Sequence, residues 1–297
     1  MSSAKDIRIL VTGASGVGGQ AVCRLLKAES YTHVRRADVG PPVGADLADF
    51  EFQRCDTRTP DDARRAVAGC DAVIHLAAWH CAHQPPVSDA TIWAVNVDGT
   101  FNIVEACRAE GVKAFVYASS MAFGFGGVYS ISKVIGEDLC RMLHESTRAG
   151  VAMLRYHDFV PKPYLAFGEK LLRNGVDARD VASSTVASME AALDGRIGLF
   201  RTIVHTAHGI PPEIVNDFRS HGTGWCESQV PGARTLLQKY AIALPERVEQ
   251  HDLSEAERLT GWRPAVGFVQ FLQDLKERDS RGEDVKALWS SGSIYFL

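Results

Sequence analysis

The sequence predicts an α/β protein: a doubly wound parallel sheet with helices on both faces, extended by a smaller, α-rich C-terminal part. Three observations predict it. Short apolar runs rich in β-branched residues alternate with amphipathic stretches of helix length through the first 156 residues, the pattern that crossover connections impose. A glycine-rich turn, Thr12-Gly13-Ala14-Ser15-Gly16-Val17-Gly18-Gly19, joins the first such run to the first helical stretch. Beyond residue 156, Pro161, Pro163, Pro211, Pro212, Pro231, Pro245 and Pro264 break the chain into shorter elements.

In order, Ile7–Val11 reads as the first strand, ending at Thr12-Gly13. Gly18–Ala28 reads as a helix, since Val22, Leu25 and Leu26 fall on one face. Tyr31–Arg36 is a second strand ending near Asp38, and Phe50–Cys55 a third. Thr59-Pro60-Asp61-Asp62 marks a helix start, a capping residue with proline in the first turn. Asp71–Leu76 is the fourth strand, Val95–Arg108 a helix, Ala114–Ser119 the fifth strand, 128–148 a long helix and Val151–Arg155 the sixth strand. Further helices are expected near Val181–Leu193, Pro211–Arg219, Ala233–Tyr240 and Ser254–Leu259. The chain thus divides into 1–156, with the core strands and the long helix, and 157–297, the smaller α-rich part with some segments returning to the sheet. No low-complexity linker separates them and no internal repeat occurs.

A chain of 297 residues can bury a sizeable core as one domain or two. Its formal net charge of −4 offers no basic footprint, so a nucleic-acid partner is not expected. No stretch approaches the roughly 20 apolar residues of a membrane-spanning helix, so no membrane partner is expected either. The first residues, Met1 to Ile7, lack the basic and apolar regions of a signal peptide, which makes a cytoplasmic location the expectation. Cys23, Cys55, Cys70, Cys81, Cys107, Cys140 and Cys226 are odd in number, irregularly spaced and contain no C-x-x-C, so they read as free thiols rather than a disulfide framework or zinc site.

The glycine-rich turn carries the first functional signal. Glycines between a strand and a helix permit a tight turn and close backbone approach to a pyrophosphate, whose charge the helix N-terminus favours. An acidic residue at the end of the second strand should then take the ribose hydroxyls, and Asp38 stands there. The same aspartate would repel a 2′-phosphate, favouring NAD over NADP, whereas Arg35 and Arg36 immediately before it point the other way. NAD is the preferred cofactor, with NADP not excluded.

Further motifs follow in order. Gly13-x-x-Gly16-x-x-Gly19 is succeeded by Cys55-Asp56-Thr57, by Asp71-Ala72-Val73-Ile74-His75-Leu76-Ala77-Ala78 and by Asn96-Val97-Asp98-Gly99-Thr100-Phe101-Asn102. Val116-Tyr117-Ala118-Ser119-Ser120 and Tyr129-Ser130-Ile131-Ser132-Lys133 complete the series. On these motifs the chain resembles the extended short-chain dehydrogenase/reductase family, the NAD-dependent epimerase/dehydratase group, which implies a Rossmann fold. The resemblance implies cofactor contacts from Gly13, Ser15, Gly16, Val17, Gly19 and Asp38, from Asp56 and Thr57 at the adenine, from Leu76, Ala77 and Ala78 along the fourth strand, and from Tyr129 and Lys133, the lysine also reaching the nicotinamide ribose. In the second half the likeness thins to Val176-Asp177-Ala178-Arg179-Asp180-Val181-Ala182 and Gly261-Trp262-Arg263-Pro264.

A tyrosine four residues before a lysine shares one helix face with it, one turn apart. A nearby ammonium stabilises a phenolate, so the Tyr129 pKa is expected to fall from about 10 toward neutrality, making it a general acid/base for a substrate hydroxyl or carbonyl. Ser119 stands at the carboxyl end of the fifth strand, where open α/β sheets bind ligands. Counting back from Phe123-Gly124 matches Ser119 to the family's catalytic serine, with Ser120 the residue after it.

Three departures bear on substrate. Only ten positions separate Ser119 from Tyr129, where the family has a longer rim, and Phe123-Gly124-Phe125-Gly126-Gly127 fills them. His157-Asp158 replaces the apolar residue and asparagine of nucleotide-sugar enzymes, and only 18 positions separate Pro161 from Arg179. A smaller, non-nucleotide substrate is therefore expected, contacted by His80, Ser119, Ser120, His157 and Asp158. With Ser120 and Met121 where the dehydratases carry acidic residues, water elimination is not expected. The short loop and the Arg36-Ala37-Asp38 strand end loosely resemble uronate-dehydrogenase-like members. His80 and His83 lack a third ligand at useful spacing, so no metal is assigned; His205, His208 and His221 receive no role.

The resulting expectation is an NAD(P)-dependent oxidoreductase or epimerase acting on a secondary alcohol or ketone of a sugar-like small molecule through Tyr129, Lys133 and Ser119. The alternatives are a nucleotide-sugar epimerase and a non-catalytic NAD(P)-sensing or scaffold protein on the same fold. Apolar Val134, Ile135, Leu139 and Leu143 on the long helix fit a homodimer interface, and equally simple core packing.

Overall fold

The computed structural model describes residues 6–81, 85–206, 208–290 and 292. They form two compact units, the first of Met1–Tyr156, Ala182–Ile203 and Ser254–Trp262, the second of His157–Val181, Val204–Leu253 and Arg263–Leu297. In chain order the strands are β1 Ile9–Thr12, β2 Val34–Asp38, β3 Glu51–Arg54, β4 Ala72–His75, β5 Ala114–Ser120, β6 Gly150–Tyr156, β7 Lys162–Pro163, β8 Leu199–Val204 and β9 Trp289–Ser290. The helices are α1 Val17–Ala28, α2 Pro60–Val67, α3 Asp89–Trp93, α4 Gly99–Glu110, α5 Gly127–Thr147, α6 Tyr164–Lys170, α7 Ala178–Leu193, α8 Pro212–Val215, α9 Phe218–Gln229, α10 Ala233–Lys239, α11 Ser254–Thr260 and α12 Phe268–Ser280.

Seven strands make one parallel sheet, ordered β3-β2-β1-β4-β5-β6-β8. The apolar strands β1, β4 and β5 are buried because helices cover both faces, which is why they read as continuous hydrophobic runs rather than alternating ones. Strand order reverses direction between β1 and β4, the topological switch point at which such sheets open a crevice. Leu10, Val73, Phe115 and Val151 from the strands pack with Val104, Cys107, Cys140 and Leu143 from the helices. The second unit has its own core, in which Tyr164, Phe167, Phe218, Phe268, Phe271 and Leu275 are buried, and a two-stranded antiparallel ribbon of β7 and β9.

Several boundaries depart from the sequence expectation for local reasons. β2 begins at Val34, because the Tyr31 amide closes α1 by bonding the Leu26 carbonyl while Ser30 takes the left-handed conformation (φ 68°). Helix begins at Asp89 rather than Val95, since the Ser88 hydroxyl caps it by accepting from the Thr91 amide. It then passes through a π-helical stretch, Ala94–Asp98, before α4. Helix α12 was not anticipated, although Phe268, Phe271, Leu272 and Leu275 repeat at helical spacing and are buried. The seven cysteines are free, all buried except Cys81. Among the described residues no helix is long and apolar enough to cross a membrane.

Candidate active site

The turn after β1 is shaped by contact. Gly13 has φ +69°, and a Cβ there would lie 2.7 Å from the Ala77 amide nitrogen; a Cβ on Gly19 would lie 2.2 Å from the Gly13 carbonyl oxygen. Only glycine lets the turn, the start of α1 and the segment after β4 come this close. No side chain caps α1 at Gly16, so its first-turn N–H groups and helix dipole are presented to an anion.

Asp38 ends β2 beside this turn. Its carboxylate accepts from the Ser15 amide at 2.9 Å and the Gly40 amide at 3.1 Å, which orients it and leaves lone pairs for diol hydroxyls. The Ser15 hydroxyl donates to the Pro41 carbonyl. The two arginines that argued for a 2′-phosphate are engaged elsewhere. Arg35 pairs with Glu51 and donates to the Ala66 and Ala68 carbonyls. Arg36 is buried, donates to the Val43 carbonyl and lies over the Phe52 ring. Next to β3, Asp56 is held by Arg58 through its side chain and amide, and burial is outweighed by that contact so that its carboxyl stays below the ordinary value. Thr57 is buried, its carbonyl accepting from Asn102.

Beneath the crevice runs a polar chain that the sequence reading did not assign. His75 Nδ1 contacts the Thr12 hydroxyl at 2.7 Å, its Nε2 contacts the Thr100 hydroxyl at 3.0 Å, and Thr100 donates to the Asn96 carbonyl. Burial first, then the Lys133 charge, pushes the His75 pKa down to about 3, so the ring stays neutral. Asn96, in the π-helical stretch, accepts from the Trp79 amide and donates to the Trp79 carbonyl and the Ser132 hydroxyl. It thereby ties the segment after β4, which contains Leu76, Ala77 and Ala78, to helix α5. A π-turn next to a functional helix is the available signal, and it is a feature of structure rather than of residue type.

Tyr129, Lys133 and Glu137 lie on α5 at spacings of four. Tyr129 is half-buried, with the His80 ring edge-on at 4.5 Å between centroids. Lys133 is buried, donates to the Ala118 carbonyl at 2.7 Å, and places Nζ 5.2 Å from the Tyr117 ring centroid and 5.9 Å from that of Tyr129. Burial pulls its pKa down to about 8. The Ser119 hydroxyl gives its single proton to Glu137 (2.6 Å), whose carboxylate also takes Arg155 at 2.7 and 2.8 Å and Arg201 at 3.2 Å. Ser119 is therefore an acceptor toward anything else it meets. The Ser120 hydroxyl accepts from the Ala122 amide at 3.0 Å. Gly124, Gly126 and Gly127 all take positive φ in the short connection to α5, a conformation that other residues adopt only with strain.

His157 and Asp158 belong to the second unit. There His157 sits among imidazoles, and Asp158 pairs with Lys162 at 2.9 Å. His83 lies outside the described residues. Asp180 accepts from the Ala265 and Val266 amides, and Trp262 donates to the Ser183 hydroxyl, so both motifs of the second half are engaged in internal structure.

A family model described as "NAD dependent epimerase/dehydratase family" matches residues 9–164, just over half of the chain. "Short-chain dehydrogenase/reductase family 42E member 1" from Danio rerio is 36% identical over 124 residues, 41% of this chain and 32% of that protein. The chain thus spans about a third of that relative. "Uronate dehydrogenase" from Pseudomonas syringae pv. tomato is 28% identical over 209 residues, 60% of this chain and 73% of that protein. Among solved structures, a variant of uronate dehydrogenase from Agrobacterium tumefaciens complexed with NAD is similar at TM-score 0.56 and 27% identity, over 68% of this chain and 77% of that one.

Proposed function

The chain belongs to the NAD dependent epimerase/dehydratase family, and from that premise we propose that it oxidises, reduces or epimerises a secondary alcohol or ketone on a sugar-like small molecule. The single observation that carries this reading is the pairing of Tyr129 and Lys133 one turn apart on α5, with the buried ammonium 5.9 Å from the phenol ring. The turn after β1 fits NAD: an uncapped helix start for the pyrophosphate, Asp38 for the ribose hydroxyls, and no free arginine at Arg35 or Arg36 for an additional phosphate. Asp56 and Thr57, with Leu76, Ala77 and Ala78, would line the remainder. When bound, NAD would supply the carbon that takes or returns a hydride.

In this proposal Tyr129 moves the proton at the substrate oxygen. Lys133 stabilises its phenolate by charge, and the low dielectric around a buried ammonium strengthens that interaction. Ser119, whose own proton is committed to Glu137, accepts from the substrate hydroxyl and so fixes its direction. His80, against the Tyr129 ring, and Ser120 flank the same place in the first unit. A sugar acid is the favoured substrate class, by likeness to uronate dehydrogenase. A homodimer through α4 and α5 accompanies the proposal, since Phe101, Ile131 and Val134 are exposed there, whereas Leu143 is core. Sedimentation of a Phe101→Glu/Ile131→Glu variant as a monomer, against a dimeric parent, tests that interface.

The catalytic reading is tested by following NADH absorbance with NAD or NADP and a panel of sugar acids, aldoses and polyols. A Tyr129→Phe substitution is expected to lower kcat by about 10²–10⁴-fold in a protein that still binds NAD. Undiminished turnover in that variant refutes the assignment of Tyr129. Accumulation of NADH identifies net oxidation, and interconversion of stereoisomers without it identifies epimerisation. Tight binding of UDP by titration calorimetry would move the substrate class back to nucleotide sugars.

A further inference from the structure

The second unit brings together four histidines that the family motifs do not use. His157 is the residue after β6 and His205 the residue after β8; His208 and the Glu249-x-His251 pair complete the group. The ring centroids of His157 lie 4.4 Å from His205 and 5.1 Å from His251, with His205 5.0 Å from His251 and 5.4 Å from His208. Three of these side chains converge on one point. His157 Nε2 and His251 Nε2 are 3.2 Å apart, Glu249 Oε1 is 3.0 Å from the same His251 nitrogen, and all three ligand atoms lie within 4.8 Å of one another.

Hydrogen bonding alone serves this arrangement poorly. A proton on His251 Nε2 directed at Glu249 leaves the His157 Nε2 lone pair with at most a shared proton. A proton on His157 Nε2 directed at His251 leaves the His251 lone pair facing a carboxylate oxygen. Both nitrogens of His208 are, in addition, buried with no hydrogen-bond partner among the described residues, although buried polar groups are otherwise almost always paired. His157, His205 and His208 are all buried.

We propose that His157, His251 and Glu249 bind a zinc-class divalent metal ion, with His205 and His208 as the adjoining imidazoles. Two imidazoles and a carboxylate are a donor set suited to that class, and three protein ligands leave a fourth position for water or a ligand oxygen. Metal–nitrogen bonds of about 2.0–2.1 Å at tetrahedral angles place two ligand atoms roughly 3.3 Å apart. The 3.2 Å between the two Nε2 atoms matches that edge. The ion would pin two segments distant in sequence, the residue after β6 and Glu249-x-His251, and it would resolve the lone-pair conflict at His251 by giving each lone pair the same partner.

The test uses the whole protein, stripped with a chelator and dialysed, then titrated with Zn²⁺ alone and analysed for metal content. The expected result is a single Zn²⁺ per chain, and with Co²⁺ the visible bands of a four-coordinate nitrogen–oxygen site. His251→Ala and Glu249→Gln should weaken Zn²⁺ binding by more than the roughly 10–100-fold that loss of an outer partner causes. His221→Ala, exposed on α9, should bind as the parent does. Far-ultraviolet circular dichroism checks that each variant is folded, and if His251→Ala does not fold, the Glu249→Gln titration and the parent's Co²⁺ spectrum decide. A parent that binds no Zn²⁺ or gives no four-coordinate Co²⁺ spectrum, or ligand variants that bind as His221→Ala does, overturns the site.

Discussion

Glu137 is a buried carboxylate of the first unit that three side chains engage. Burial by itself pushes its carboxyl pKa up; contacts from Arg155, Ser119 and Arg201 together hold it below the ordinary 4.5. The depressed value means that this stabilisation is fully present above the unfolded pKa and is lost as pH falls below about 4.5 toward the folded value. Removing one partner of a buried ion pair costs about 3–5 kcal/mol, chiefly because the other charge is left unpaired. The Arg201 side chain is 54% exposed and adds little, whereas that of Arg155 is 16% exposed and stays stacked 4.0 Å from the Phe123 ring. Glu137→Ala is therefore placed at the lower end, about 3 kcal/mol, or roughly 5 °C in Tm for a chain of this size. Urea denaturation followed by intrinsic fluorescence measures it. A Glu137→Ala/Arg155→Ala cycle should show a coupling of about 1–3 kcal/mol. A midpoint unchanged in Glu137→Ala, or additive single substitutions in the cycle, would show that the pair is not a stabilising unit and that Ser119 is oriented by something else.

Gly19→Ala places a Cβ 2.2 Å from the Gly13 carbonyl oxygen, so NAD binding should be lost or weakened more than about 10-fold; fluorescence titration with NADH reads it, and parental affinity would contradict the tight turn. Asp38→Ala should weaken NAD and narrow its preference over NADP, seen as a fall in the ratio of the two dissociation constants. Lys133 is held near pKa 8 against an ordinary 10.5, so the folded state carries fewer protons between those values and stability should rise with pH across that window. Lys133→Met should abolish that rise in the urea midpoint, and a rise that persists would assign it to another group.

The first half of the fold was legible because both periodicities were. Continuous apolar strands and amphipathic helices are local consequences of burial on both sheet faces, and the Gly13–Gly19 turn, Asp38, Tyr129 and Lys133 sit at fixed offsets from those elements. What the sequence could not supply is contact between residues far apart along the chain. Glu137 follows Lys133 by one more helical turn, yet only the tertiary structure shows it holding Ser119 against Arg155. Arg35 and Arg36 looked available to a phosphate until packing engaged them with Glu51, backbone carbonyls and the Phe52 ring. The sequence assigned no metal from His80 and His83, and Glu249-x-His251 and His205-x-x-His208 carried too little spacing information to suggest one. Helical and strand periods are set by the backbone's own geometry and so are written along the chain. The neighbours of Glu137 or His157, by contrast, are set by which segments pack together, and that is decided only when the apolar surfaces of the whole molecule are buried.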